Sequence, residues 1–182
     1  MYVFLLGLHN ITRWLVLLSG VAALVTAYWG MFSKREFGGI DKATGVTFTS
    51  LFGLQVILGL ILYFVSPLYG VRGFGALDLA EGSTRVQIIF FSMYHITLML
   101  LALVVAQLGY SRAKRAENPK QAFRRAALGY TVGIVLVFLA VPWGIRPNWR
   151  SPITLGPDLD TTGAQHLTLT VSGSGQFFNL EA

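Results

Sequence analysis

Two histidines stand inside long apolar runs of this 182-residue chain, where few other side chains could do chemistry. His9 lies in the first run and His95 in the third. Polar side chains are costly inside a lipid bilayer, so each of them is a candidate for function by default. Neutral imidazole is a common ligand of haem iron, and the interior of a helix bundle is a usual place for haem. Two histidines on separate helices at one depth would hold a b-type haem, or a related macrocycle, between them.

Arg13 follows His9 by one helical turn and shares its helix face. A guanidinium at this position could form bidentate hydrogen bonds with a haem propionate. The alternative is that His9, Asn10 and Arg13 form the polar outer cap of a helix, with their polar ends at the lipid headgroups. For His95 the alternative is an interhelical hydrogen bond to a serine, a tyrosine or a backbone carbonyl. The sequence leaves both pairs of alternatives open.

The two histidines lie at similar depth when residues are counted from one side of the membrane, but at different depths when they are counted from the other. Counted from the outer ends of their runs, His9 and His95 lie at similar depth. Counted from the inner basic residues Lys34 and Arg112, they differ by about 12 Å at ~1.5 Å per residue. One haem could therefore reach both rings only if the first helix tilts strongly or projects past the membrane.

The elements that must position these residues are four apolar runs, at about 3–32, 45–66, 86–110 and 126–145. Each is as long as the ~20 residues that a helix needs to cross a bilayer. Runs in lipid must be helical because no water is present to satisfy the backbone. Short loops between them predict an all-α membrane protein, an antiparallel bundle of four transmembrane helices.

The composition changes after this region, and the chain divides into a transmembrane domain at 1–145 and an outward-facing C-terminal tail at 146–182. Within the tail, 167–171 alternates like a strand and 172–175 reads as a turn, which predicts a short β-hairpin. A lone hairpin is marginal in water. The tail is therefore predicted to lie against its own loop or against another subunit.

Charge predicts the orientation of the chain. There are 14 Lys and Arg against 8 Asp and Glu, a net charge of +6. The first and third loops carry most of the basic residues: Lys34, Arg35, Lys42, Arg112, Lys114, Arg115, Lys120, Arg124 and Arg125. By the positive-inside rule these loops are cytoplasmic, so both termini face the periplasmic side of a bacterial inner membrane. Topology explains the basic charge, so no nucleic-acid partner is needed, and lipids are expected neighbours.

Several kinds of chemistry are excluded or disfavoured. The chain has no cysteine, which excludes disulfides and iron–sulfur clusters held by thiolates. No nucleotide-binding loop, catalytic triad or metal-ligand cluster stands out. No acidic residue lies within the four apolar runs, which disfavours an ion-coupled transporter. An electron-transfer or non-catalytic subunit is expected rather than an enzyme acting on its own.

Five segments carry a resemblance to a known family: Leu8, His9, Arg13 and Trp14; 59–64; Tyr94 and His95; 109–115; and 141–143. Together they resemble a bacterial family of four-helix membrane proteins labelled cytochrome b or cytochrome b561-like. The resemblance covers about residues 5–145 and none of the tail. It implies a b-type haem, with His9 and His95 as the positions that correspond to its ligands.

Two functional hypotheses follow. The first is an integral membrane subunit of a respiratory or photosynthetic electron-transfer complex, which binds haem b through His9 and His95, with a quinone or a pigment as a further partner. The alternative is a structural accessory subunit without a cofactor, whose tail clasps a neighbouring membrane subunit.

Overall fold

The computed structural model describes residues 1–33 and 35–142. In this part of the chain, helices joined by short loops are the only regular secondary structure, and there is no strand. Its helices are α1 (Tyr2–Phe32), α2 (Gly39–Val65), α3 (Val71–Ala76), α4 (Gly82–Ile89), α5 (His95–Lys114) and α6 (Pro119–Ala140), with a π turn at Phe90–Tyr94. Within these residues, four helices are long and apolar enough to cross a membrane. They are α1, α2, α6 and the continuous span of 33 residues that α4, the π turn and α5 form together. The predicted hairpin lies outside the described residues.

Two helices begin earlier than the apolar runs indicate. The backbone N–H of Gly38 donates to the Asp41 carboxylate (3.0 Å), which starts α2 at Gly39 rather than near residue 45. The Asn118 side chain accepts from the Gln121 N–H (3.0 Å) and Pro119 occupies the first turn, which starts α6. Capping residues, not hydropathy, therefore decide where these helices begin. The predicted end of the second helix at Ser66 is confirmed, because Val65 is its last residue.

The long helices pack as neighbours in a closed order. α1 contacts α2 and α6, and α5 contacts α6 and α2. The contact between α5 and α6 is the most extensive, and it is closest where Gly109 meets Gly129. A Cβ atom built on Gly109 would lie 2.6 Å from the Gly129 Cα. The two backbones touch there, which only a residue without a side chain allows.

An ion pair between a half-buried arginine and a buried aspartate lies at the end of the molecule where α1 and α5 finish and α2 and α6 begin, named here the basic end. Arg35 donates to both carboxylate oxygens of Asp41 at 2.6 and 2.7 Å, and also to the Thr26 carbonyl at 3.1 Å. Its guanidinium lies 4.8 Å from the centre of the Phe123 ring. The hydrogen bonds to Asp41 raise the pKa of Arg35 above its ordinary value. One arginine thus connects α1, α2 and α6.

Aromatic side chains fill the centre of the structure. Phe48 stacks on Phe52 with ring centroids 5.8 Å apart and meets Tyr130 edge-on at 5.5 Å. All three are at most 2% exposed. They separate the basic end from the region that contains the two histidines.

Candidate functional site

His9 and His95 come together at the opposite end of the molecule, named here the histidine end. Their ring centroids are 6.4 Å apart and their planes make an angle of 67°. Counted to the helix ends, α1 continues for 23 residues after His9 (to Phe32) and α5 for 19 after His95 (to Lys114). The difference of four residues corresponds to about 6 Å at ~1.5 Å per residue. This is half of the difference in depth of about 12 Å that the sequence predicts for His9 and His95 when residues are counted from Lys34 and Arg112. The contact between the rings shows that the difference is accommodated.

A π turn immediately before His95 sets the direction of its side chain. The His95 N–H donates to the Phe90 carbonyl, five residues earlier instead of four. The extra residue rotates the helix that follows by about 100° relative to a continuous α-helix. The turn is held from outside, because the Tyr63 hydroxyl donates to the Ser92 carbonyl at 3.2 Å. Gly73 of α3 lies directly against the Ser92 side chain.

The His95 ring is fixed by a hydrogen bond to α6. Its Nδ1 lies 2.8 Å from the Ala140 carbonyl oxygen. A carbonyl only accepts, so Nδ1 carries the hydrogen and Nε2 of the neutral ring keeps its lone pair. Ala140 ends α6, and Pro142, which has no N–H, follows two residues later. A helix that stops here leaves its last carbonyls for other donors. This is the interhelical bond that the non-cofactor alternative expects, and it also prepares Nε2 as a ligand.

The His9 ring is held differently, through its backbone. The Gln55 side-chain amide donates to the His9 carbonyl at 2.9 Å, and the Thr12 hydroxyl donates to the Gln55 side-chain oxygen. Gln55 therefore links α1 to α2. The His9 Nδ1 is buried and forms no hydrogen bond of good geometry among the described residues, and the backbone of Gln55 lies close to the ring. The α2 helix therefore contacts both the backbone and the ring of His9.

Gly59 of α2 makes room for the His9 ring. A Cβ atom built on Gly59 would lie 3.1 Å from His9 Cε1 and 3.8 Å from Nδ1. These distances place the Nδ1–Cε1 edge of the ring against the α2 backbone. Gly59 begins one of the segments that carry the family resemblance, but nothing in the sequence indicates this role.

Both histidines line a cavity of about 170 Å³ between α1, α2, α5 and the end of α6. Its walls are mostly apolar, and Arg13 is one of the polar side chains in the lining. The Arg13 guanidinium lies 5.5 Å from the centre of the Trp14 ring. Besides these residues, the lining includes Asn10, Val16, Phe52, Gln55, Gly59, Tyr63, Ser66, Tyr69, Met99, Val137 and Pro142.

Two polar residues of the apolar runs, Gln87 and Thr131, do not line this cavity. The Gln87 side chain accepts a hydrogen bond from the Tyr69 hydroxyl at 2.7 Å. The Thr131 hydroxyl, on α6, bonds to the Tyr28 hydroxyl at 2.9 Å and to the Ala127 carbonyl. These two residues therefore have structural partners, and His9, His95 and Arg13 remain the predicted site.

The described residues contain no group of three or more His, Asp or Glu side chains that could hold a metal ion by themselves. No family model, no curated protein and no solved structure matches this chain. The likeness to the cytochrome b561-like family stays a prediction, and the function is inferred from the geometry of this cavity.

Proposed function

We propose that this chain is an integral membrane subunit of a respiratory or photosynthetic electron-transfer complex, and that it binds a b-type haem, or a related macrocycle, through His9 and His95. The observation that carries the proposal is the meeting of two imidazoles from different helices in one apolar cavity, 6.4 Å apart between ring centroids. Two imidazoles at this spacing could hold one metal centre between them.

The donor set of the cavity fits a haem. His95 has an Nε2 lone pair, because its Nδ1 donates to the Ala140 carbonyl. His9 supplies the second imidazole, with its ring centroid 6.4 Å from that of His95. Arg13 is the cation that would pair with a propionate. When bound, the haem would supply one-electron transfer between ferrous and ferric iron, in surroundings that are mostly apolar.

The volume of the cavity sets a condition on this binding. Pockets for drug-sized ligands measure roughly 300–1,000 Å³, whereas the enclosed space here is about 170 Å³. A macrocycle therefore requires the lining side chains to move apart. Met99 is one lining residue that can do so easily, since methionine is unbranched and adapts its shape.

The membrane arrangement that we propose is an antiparallel bundle of four helices in a bacterial inner membrane. It is supported by the four apolar spans and by their closed order of contacts. The basic end faces the cytoplasm by the positive-inside rule. The histidine end and both termini then face the periplasm, with the tail at 146–182 on that side as a contact for neighbouring subunits.

A visible spectrum of the purified full-length protein tests the proposal. We expect a Soret band and an α band that sharpens on reduction, both lost in the double variant His9→Ala/His95→Ala. Thr44→Ala serves as the control, because Thr44 lies near the basic end and pairs with Thr26. A colourless preparation that stays colourless after addition of haem contradicts the proposal.

The second candidate is a structural accessory subunit without a cofactor. It is favoured by the hydrogen bond from His95 to the Ala140 carbonyl, which gives one nitrogen of that ring a partner in the protein itself. In this case His95 ties α5 to α6, and removing 147–182 should reduce recovery of neighbouring subunits in co-purification. Unchanged recovery with a colourless protein would count against this role of the tail.

A further inference from the structure

A second cavity, of about 420 Å³, lies at the basic end between the last turn of α1 and the first turn of α6. The Phe123 ring forms part of its wall, and it packs directly against α1 because Gly30 has no side chain there. Pockets for drug-sized ligands measure roughly 300–1,000 Å³. The volume at the basic end lies within this range, so a ligand of that size fits without moving the walls.

The aromatic residues beside this cavity place it at the level of the lipid headgroups. Phe32 lines the cavity and is 81% exposed, and Trp29 in the same turn of α1 is 70% exposed. Aromatic side chains at the end of a membrane span lie at the boundary between hydrocarbon and water. The headgroup of a neighbouring lipid can therefore enter the cavity while its acyl chains stay against the exposed side of α1.

One part of the cavity wall offers hydrogen-bond donors to a phosphate. Arg35 uses three of its five N–H groups on Asp41 and on the Thr26 carbonyl. The other two are not used by these bonds, and Lys120 adds an exposed ammonium group. The Ser33 hydroxyl oxygen is buried in the same wall and has no hydrogen-bond partner among the described residues. Basic pockets between membrane helices on the cytoplasmic side are typical sites for lipid headgroups.

A carboxylate in the same wall decides which type of headgroup fits. Glu36 is exposed and lines the cavity together with Arg35 and Lys120, and Asp41 balances the charge of Arg35. A headgroup with a negative charge alone would bring its phosphate close to the Glu36 carboxylate, and like charges repel. A headgroup with a phosphate and a primary amine matches both signs, because the amine donates to Glu36 while the phosphate accepts from Arg35 and Lys120.

We propose that this cavity binds one phospholipid of the cytoplasmic leaflet that has an ethanolamine headgroup, with its phosphate at Arg35 and Lys120 and its ammonium at Glu36. A choline headgroup fits less well, because its quaternary nitrogen has no N–H to donate to the carboxylate. The inference rests on the proposed membrane arrangement, in which the basic end lies among the cytoplasmic headgroups, and it does not involve the haem.

Native mass spectrometry of the delipidated full-length protein in detergent tests this site. Lipids with identical acyl chains and an ethanolamine, a choline or a glycerol headgroup are added in turn, and the bound fraction is measured against lipid concentration. We expect one ethanolamine lipid to bind about two- to fivefold more tightly than either of the others, the range of a solvent-exposed ion pair. Soluble phosphoethanolamine at the same concentration should not displace it, because it lacks the acyl chains that contact α1.

Two substitutions separate the amine contact from the phosphate contact. Glu36→Gln should weaken binding of the ethanolamine lipid and strengthen binding of the glycerol lipid, because it removes the partner of the amine and the repulsion of the phosphate. Lys120→Ala should weaken binding of all three lipids, since all carry the phosphate. Glu117→Gln and Arg124→Ala are the matched controls, because both side chains are exposed at the same end and neither lines the cavity. Circular dichroism checks that each variant is folded.

The outcomes separate this inference from the haem proposal. Equal affinities for the three lipids, or tightest binding of the glycerol lipid, overturn the ethanolamine headgroup. Effects of Glu117→Gln as large as those of Glu36→Gln overturn the location of the site. Displacement of the lipid by soluble phosphoethanolamine overturns a lipid as the ligand. None of these results changes the haem proposal, and a protein without haem leaves the lipid site as it is.

Discussion

The basic end and the histidine end are built from the same four long helices, yet different contacts join the helices at each end. Toward the basic end, Gly109 and Gly129 bring two backbones into contact, and Arg35 bonds bidentately to a buried Asp41. At the histidine end there are a cavity of about 170 Å³ and a π turn, and hydrogen bonds from Gln55 and His95 join the helices. Both ends contain an opening, since a cavity of about 420 Å³ lies beside Arg35 and Phe123. The two ends therefore differ in the chemistry of their contacts and not in how closely they are packed.

The largest effect on stability is expected for a substitution at the contact between Gly109 and Gly129. Gly109→Leu places a side chain where the facing backbone lies 2.6 Å from a built Cβ. Overpacking of this kind costs about 1–3 kcal/mol, and more where the obstacle is a backbone that cannot adjust. We expect a large fall in the thermal midpoint in detergent, or no folded protein.

Gly53→Leu is the control for this prediction, since no atom lies within 4 Å of a Cβ built there. Thermal unfolding followed by circular dichroism measures both variants. If Gly53→Leu is as destabilised as Gly109→Leu, the close contact of the two backbones is not what makes position 109 sensitive.

The second-largest effect on the free energy of unfolding is expected for the ion pair at the basic end. Asp41→Asn leaves Arg35 without its charged partner. Breaking a buried pair costs about 3–5 kcal/mol, but the Arg35 side chain is 32% exposed, so water compensates part and roughly 1–3 kcal/mol is expected. Denaturant unfolding measures the change, with Glu36→Gln, an exposed neighbour, as the control. A loss no larger than that of the control would contradict a stabilising role for the pair.

The pH dependence of the same pair follows from the raised pKa of Arg35. A cation whose pKa is raised on folding contributes stability that is fully present below its unfolded pKa, above about 12 for arginine, and lost only as the pH rises through the folded value. The arginine therefore contributes a constant amount at neutral pH. A thermal-midpoint difference between the unmodified protein and Asp41→Asn that changes between about pH 7 and pH 9 would contradict this.

Gln55 at the histidine end should have a smaller effect on stability and a larger effect on the site. Gln55→Leu removes the bond to the His9 carbonyl and the partner of Thr12. Side-chain hydrogen bonds between membrane helices contribute about 0.6 kcal/mol on average and up to about 1.7. We expect a loss of about 1 kcal/mol together with faster amide exchange around His9. Unchanged exchange there would show that the α1 backbone does not depend on Gln55.

The smallest effect is expected at the π turn. Tyr63→Phe removes a hydroxyl that donates to the Ser92 carbonyl at 3.2 Å. The stability change should stay near about 0.6 kcal/mol, but the His95 ring should become more mobile, which ring NMR signals measure. A stability loss greater than that of Asp41→Asn would reverse the ranking of the two ends.

Much of the fold could be predicted from the apolar runs. The four spans, the end of α2 before Ser66 and Pro67, and the continuation of α5 into the basic segment follow from hydropathy, proline and helix length. The early start of α2 could not be predicted in the same way. It depends on Asp41, a charged residue that hydropathy assigns to the first loop but that is buried in the first turn of the helix.

The candidate site likewise combines residues that the sequence predicts with contacts that only the tertiary structure creates. The sequence by itself determined which residues are too costly to leave in lipid without a partner, namely His9, His95 and Arg13, because that cost depends only on residue type and on the run around it. The tertiary structure alone decided that the two rings meet, through a π turn with no sequence signal. It also decided that the Ala140 carbonyl bonds to one ring and that the other ring packs against Gly59. Those are contacts between distant segments, and a one-dimensional pattern does not contain the rotation or the separation of the helices that create them.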